Sequence, residues 1–126
     1  MWGRRHFYFG DSISVGVKDV ARAIAWYSDK LGLLRSGVKS DEYDELLTLN
    51  KSDEVGVALV AISPGESSAN VEGHPILFTS NIEAAHKDFA VREIAVSPIE
   101  KDSGGNQFFR FRDLEGNEIE VCVEPG

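Results

Sequence analysis

Apolar and polar positions alternate strictly at Ile13, Val15 and Val17, which are separated by Ser14 and Gly16. A period of two marks a strand with two unlike faces. Asp19 follows in the position of a helix N-cap, ahead of Val20, Ile24, Tyr27 and Leu31 at spacings of 4, 3 and 4. That is one helical stripe, with Lys30 in its last turn and Gly32 placed to end it. Three short strand patterns come next, at about 33–38, 45–50 and 55–62. The order then recurs. Asn81 caps a second stripe of Ile82, Ala85, Phe89 and Ala90, with Lys87 and Arg92 towards its end. Strand patterns follow at about 94–97, 107–112 and 118–123. Asp113-Leu114-Glu115-Gly116-Asn117 reads as the hairpin turn between the last two, with Gly116 free to take a positive φ.

The recurrence is a repeat at a constant offset of 62 residues. Val15 falls on Leu77, Ala23 on Ala85 and Tyr27 on Phe89. Leu46, Leu47 and Leu49 fall on Phe108, Phe109 and Phe111, and Val57, Leu59 and Ala61 on Ile119, Val121 and Val123. Three matched runs at one offset predict two copies of a βαβββ unit, at about 11–62 and 73–124, within one domain spanning 1–126. The expected class is α+β. One unit cannot cover its own sheet, so the two should pack together as a curved mixed sheet enclosing a central cleft. The polar stretch 63–70 reads as a surface connection. Phe7, Tyr8 and Phe9 precede the repeat, as an added edge strand, a contact between subunits or appended sequence.

Alternation also sorts side chains by face. If Ile13, Val15 and Val17 meet the helix, Ser12, Ser14 and Gly16 look the other way, joined by Gly56, Ala58 and Val60. The equivalents in the second copy are His74, Ile76 and Phe78, with Glu118, Glu120 and Cys122. Small residues (Ser12, Ser14, Ala58) on one wall and polar or bulky ones (His74, Phe78, Glu118, Glu120) on the other have the make-up of a ligand pocket. The competing reading is that a loop or a partner subunit fills the space.

Composition narrows the class of ligand. The 126 residues carry a formal charge of −8, which argues against nucleic acid and against an anionic membrane surface as partners. Residues 63–126 hold five basic and twelve acidic side chains, a balance that suits a cationic ligand. Cys122 is the single cysteine, so no intrachain disulfide framework exists. No apolar run is long enough to span a bilayer, and the opening residues lack the apolar stretch of a signal peptide, so a cytoplasmic protein is expected.

Residues 12–32, SISVGVKDVARAIAWYSDKLG, together with 109–120, FRFRDLEGNEIE, resemble the vicinal oxygen chelate superfamily. It comprises glyoxalase I, bleomycin-resistance proteins, fosfomycin-resistance enzymes and extradiol dioxygenases. The turn is Asp-Leu-Glu-Gly-Asn in place of the usual Asp-Pro-Asp-Gly-Asn. The resemblance implies a divalent ion (Ni, Co, Mn, Zn or Fe) held at four positions, which here are Ser12, Ala58, His74 and Glu120. His74 and Glu120 match the ligand types. Ser12 stands where His or Gln is usual, and Ala58 offers nothing.

Two functions follow from the resemblance. One is a metal-assisted lyase or isomerase of the glyoxalase I kind, with Glu120 catalytic and His74 and Glu120 on the metal. It would act on a small oxygenated metabolite. The other is a metal-free drug- or metabolite-binding protein of the resistance type, with Ser12, Ser14, Ala58, Phe78 and Glu118 lining the site. Either implies a small-molecule partner and a homodimer. The two-histidine, one-carboxylate triad of the dioxygenases cannot be assembled at these positions. Plainer roles stand beside these: a satisfied His74–Glu120 pair, a packing role for His86, a contact surface at Trp26, and solvated arginines at 110 and 112. Neighbouring carboxylates should raise the Cys122 pKa and remove it as a nucleophile.

Overall fold

A computed structural model describes residues 6–63 and 75–124. Each repeat builds its own sheet. In the first, β1 (Ile13–Val17) leads through α1 (Val20–Leu31) to β2 (Leu34–Arg35), β3 (Glu45–Thr48) and β4 (Gly56–Ala61). In the second, β5 (Ile76–Thr79) leads through α2 (Ile82–Val91) to β6 (Ala95–Val96), β7 (Glu100–Lys101), β8 (Gln107–Arg112) and β9 (Glu118–Val123). The 62-residue offset carries β4 exactly onto the span of β9, and strand order repeats as β1-β4-β3-β2 and β5-β9-β8-β6. Within each copy the first and last strands pair parallel, as a helical crossover demands, and the others antiparallel. The sheets stay separate and do not close into a barrel. The one added strand, β7, pairs with β8. Its Glu-Lys pair gives no apolar period to detect.

Local chemistry sets the helix ends. The Asp19 side chain accepts from the Arg22 amide, and Gly32 closes α1 in the left-handed region at φ 68°. The Asn81 side chain accepts likewise from Ala84. Past α2 no glycine is available, and Glu93 takes the left-handed conformation at φ 63°.

The helix-facing residues of both copies form one core. Val15, Val17, Tyr27, Leu59, Leu77, Phe89, Phe109, Ile119 and Val121 are all fully buried. Phe89 meets the Phe109 and Phe111 rings edge-on at 5.7 and 5.1 Å. The amino-terminal arm belongs to this core. Phe7 and Phe9 are buried, and Phe7 packs edge-on against Phe89 at 5.7 Å. Between them Tyr8 pairs antiparallel with Phe78, its N–H and C=O both bonded to that residue. Of the three readings of this segment, the structure shows the edge pairing, as a single bridge on β5.

The hairpin 113–117 locks the second copy onto the first. The Tyr27 hydroxyl, wholly buried in α1, donates to Asp113 Oδ2 at 2.7 Å. Asn117 Nδ2 donates to the Gly16 carbonyl at 3.0 Å. The Glu115 carboxylate accepts from the Lys18 and Asp19 amides at the start of α1, where the helix dipole favours a negative charge. Burial, with Asp113 alongside, pushes the Tyr27 pKa well above its usual value. No helix among the described residues is long and apolar enough to cross a membrane.

Candidate functional site

With one face of each sheet committed to the core, the chemistry lies on the opposite faces. Register places Ser14 beside Ala58, and Ala58 beside Leu46, on that face of the first sheet. On the second sheet Ile76 stands beside Glu120 and Glu120 beside Arg110, while Phe78 stands beside Cys122 and Cys122 beside Phe108. Arg112 lies opposite Glu118.

The inequality of the two faces has a steric cause. Gly56 occupies the repeat position of Glu118, and a Cβ there would fall 1.9 Å from the Leu47 carbonyl oxygen. No side chain fits where the second copy carries a carboxylate.

Two cavities open on these faces. A cavity of about 410 Å³ is lined by residues at the starts of both repeats, Asp11, Ser12, Ile13, Ser14, Pro75, Ile76 and Phe78. It brings together three residues expected to bind ligand: Ser12, Ser14 and Phe78. The other, about 320 Å³, is confined to the second sheet and lined by Ala95, Val96, Ser97, Glu100, Arg110, Arg112 and Glu118. Glu118 therefore lines a different cavity from the serines. Of the wall at 95–100, the sequence reading has only the strand pattern at 94–97 and gives it no part in a site. Pro98 lies between β6 and β7, and the Ser97 hydroxyl before it accepts from the Arg110 amide at 2.9 Å.

The charged groups on β8 and β9 form a ladder. Arg110 Nε lies 3.7 Å from Glu120 Oε1 and 3.8 Å from Glu118 Oε1, and Arg112 Nε lies 3.7 Å from Glu118 Oε2. These separations exceed hydrogen-bond reach. Arg110 Nε is buried and has no hydrogen-bond partner, and its guanidinium sits 5.4 Å from the Phe108 ring centroid. Glu120 instead accepts from the Cys122 thiol at 2.8 Å. Partial burial, then this hydrogen bond and the Glu120 charge, push the thiol pKa up to about 12. The cysteine is protonated and inert at neutral pH.

The implied metal positions are unevenly equipped. Ser12 Oγ accepts from the Gly56 amide at 3.1 Å, Ala58 has no donor atom, and Glu120 is held by the thiol. His74 lies outside the described residues. Among those described, no three His, Cys, Asp or Glu side chains converge to hold an ion. His86 has the packing role: its Nε2 is 2.8 Å from the Ser97 carbonyl oxygen and its ring lies edge-on to Phe109. Trp26 also packs, edge-on to Tyr27 at 4.9 Å.

The Glyoxalase/Bleomycin resistance protein/Dioxygenase superfamily profile matches residues 11–121. The chain belongs to that superfamily. A member from Sphaerobacter thermophilus has a TM-score of 0.71 at 23% identity, over 93% of this chain and 97% of that one. Lactoylglutathione lyase from Agrobacterium tumefaciens scores 0.62 at 20% identity, over 90% and 91%. TnmS3, an antibiotic-binding protein from Streptomyces, scores 0.65 at 20% identity, over 91% and 94%. Identities this low carry the fold and no more. No curated protein sequence matches the chain significantly.

Proposed function

We propose that this chain is a small-molecule-binding member of the superfamily that takes up its ligand on the open sheet faces without a metal. The carrying observation is the donor set at the four family positions. A catalytic ion normally needs three protein ligands plus an open position. Here Ala58 supplies none, Ser12 offers a neutral hydroxyl that already accepts from Gly56, and Glu120 accepts from Cys122 beside the Arg110 guanidinium. The set does not fit the ion, and no step is routed through one. The faces do have what a binding protein requires, which is concave volume and a few polar groups among apolar ones.

The second reading is the glyoxalase I-like lyase or isomerase, favoured by two matches of ligand type, His74 and Glu120. Metal linkage separates the two. A ligand that binds only the native state raises Tm by mass action. Ni²⁺, Co²⁺, Mn²⁺ and Zn²⁺ added to the EDTA-stripped protein should leave Tm unchanged, whereas Ser12→His, which supplies the missing imidazole, should gain a metal-dependent rise. A saturable rise in the unsubstituted protein, lost in Glu120→Gln, would support the lyase and remove the metal-free reading.

A further inference from the structure

The charge balance of the whole chain is not the balance of its cavity. The protein as a whole carries −8, yet the cavity on the second sheet is lined by two cations, Arg110 and Arg112, and two anions, Glu100 and Glu118. The signs are also segregated. Both cations project from β8, two residues apart on one face, which sets their backbones roughly 7 Å apart. The anions come from the flanking strands, Glu118 from β9 and Glu100 from β7. Ser97 and the small apolar side chains of Ala95 and Val96 complete the wall.

We propose that this cavity takes a small zwitterion, or the zwitterionic end of a larger ligand, with a carboxylate at Arg110 and Arg112 and an ammonium group at Glu118 and Glu100. The assignment rests on the reading of the open face as a ligand-binding surface and gives that surface a substrate class. A purely cationic ligand meets two guanidinium groups in this cavity, and a purely anionic one meets two carboxylates. Each juxtaposition of like charge costs affinity. A molecule carrying both charges satisfies both rows at once.

The guanidinium fork matches a carboxylate in two parallel hydrogen bonds, which an ammonium cannot offer. Arg110 and Arg112 lie 3.8 and 3.7 Å from the Glu118 carboxylate through Nε, so cation and anion face the cavity side by side. The Arg110 guanidinium lies over the Phe108 ring at 5.4 Å from its centroid, within cation–π range. A volume of about 320 Å³ suits a molecule of amino-acid or dipeptide size. The overall acidity, which by itself suggests a cationic ligand, resides largely elsewhere on the surface.

The test is an amide NMR titration near neutral pH with three matched probes. Alanyl-alanine carries both charges, its N-acetyl form keeps only the carboxylate, and its carboxamide keeps only the ammonium. The zwitterion should shift the amides of 95–97, β8 and β9, with a Kd at least tenfold below that of either singly charged form. Arg112→Gln should erase its advantage over the carboxamide, and Glu100→Gln its advantage over the N-acetyl form. Both side chains are exposed, so neither change threatens folding. Equal or tighter binding of a singly charged form, or no shift with any of the three, overturns the assignment. If another compound class moves the same amides while the zwitterion does not, this inference falls and the proposed function stands. If no compound moves any amide of the open faces, both fall.

Discussion

Glu120 has two neighbours that pull its carboxylate in different directions. Cys122 donates to it at 2.8 Å, and Arg110 stands 3.7 Å away. With the thiol pKa pushed up to about 12, the cysteine stays protonated at pH 8. Glu120→Gln removes the charge and weakens the acceptor, so the thiol pKa should fall and alkylation by iodoacetamide at pH 9 should quicken at least threefold. An unchanged rate would mean that burial alone sets the reactivity. The native thiol holds its proton above the ordinary pKa of 9, so stability from this group is complete below pH 9 and is lost as pH rises towards 12. The position of Glu120 on the open face was legible from alternation alone, because the period of two is unambiguous over 118–123. Its neighbour Cys122, two residues along the same face, was legible too, but Arg110 was not. Which side chain a carboxylate reaches depends on strand register, and Arg110 meets Glu120 through the β8–β9 pairing.

At the scale of elements, the hairpin 113–117 ties the second copy to the first beyond their shared core. Asp113, Glu115 and Asn117 reach α1, the turn before it and the end of β1. The buried Tyr27–Asp113 bond is the part most open to measurement. Tyr27→Phe keeps the ring and deletes the donor to Asp113, at a cost of about 2 kcal/mol. The matching fall in Tm is roughly 5–10 °C. A fall under 1 °C in thermal denaturation would show that the hairpin does not hold the copies together. The equivalent contact between the first hairpin and α2 cannot form, since the repeat places Phe89 and Lys51 at those positions. The helices, their caps and this turn all carried signals in the chain, because capping and turn chemistry are local. The two-residue strands β2 and β6 lie inside the wider strand patterns at 33–38 and 94–97, whereas β7 carried no signal, since its pairing with β8 and not its own pattern defines it.

For the whole molecule, the repeat arithmetic extends to topology: one offset relates nearly every element, and both copies place their first and last strands in parallel. Placing Ser12, Ser14 and Phe78 in one cavity also follows from that symmetry. Glu118 departs from it because it lines a second cavity with Arg110 and Arg112, on its own sheet. Part of that cavity's wall, Ser97 and Glu100, lies around Pro98 and in β7, where no alternating pattern points to it. The central claim is that these open faces hold a small molecule with no ion present, and amide NMR of the protein in excess EDTA, challenged with a library of small metabolites and antibiotics, tests it most directly. The account predicts a saturable ligand of submillimolar Kd whose shifts map to β1, β5, β8 and β9. Ligands that bind only after a divalent metal is restored, or only on the helix-covered side, would contradict it.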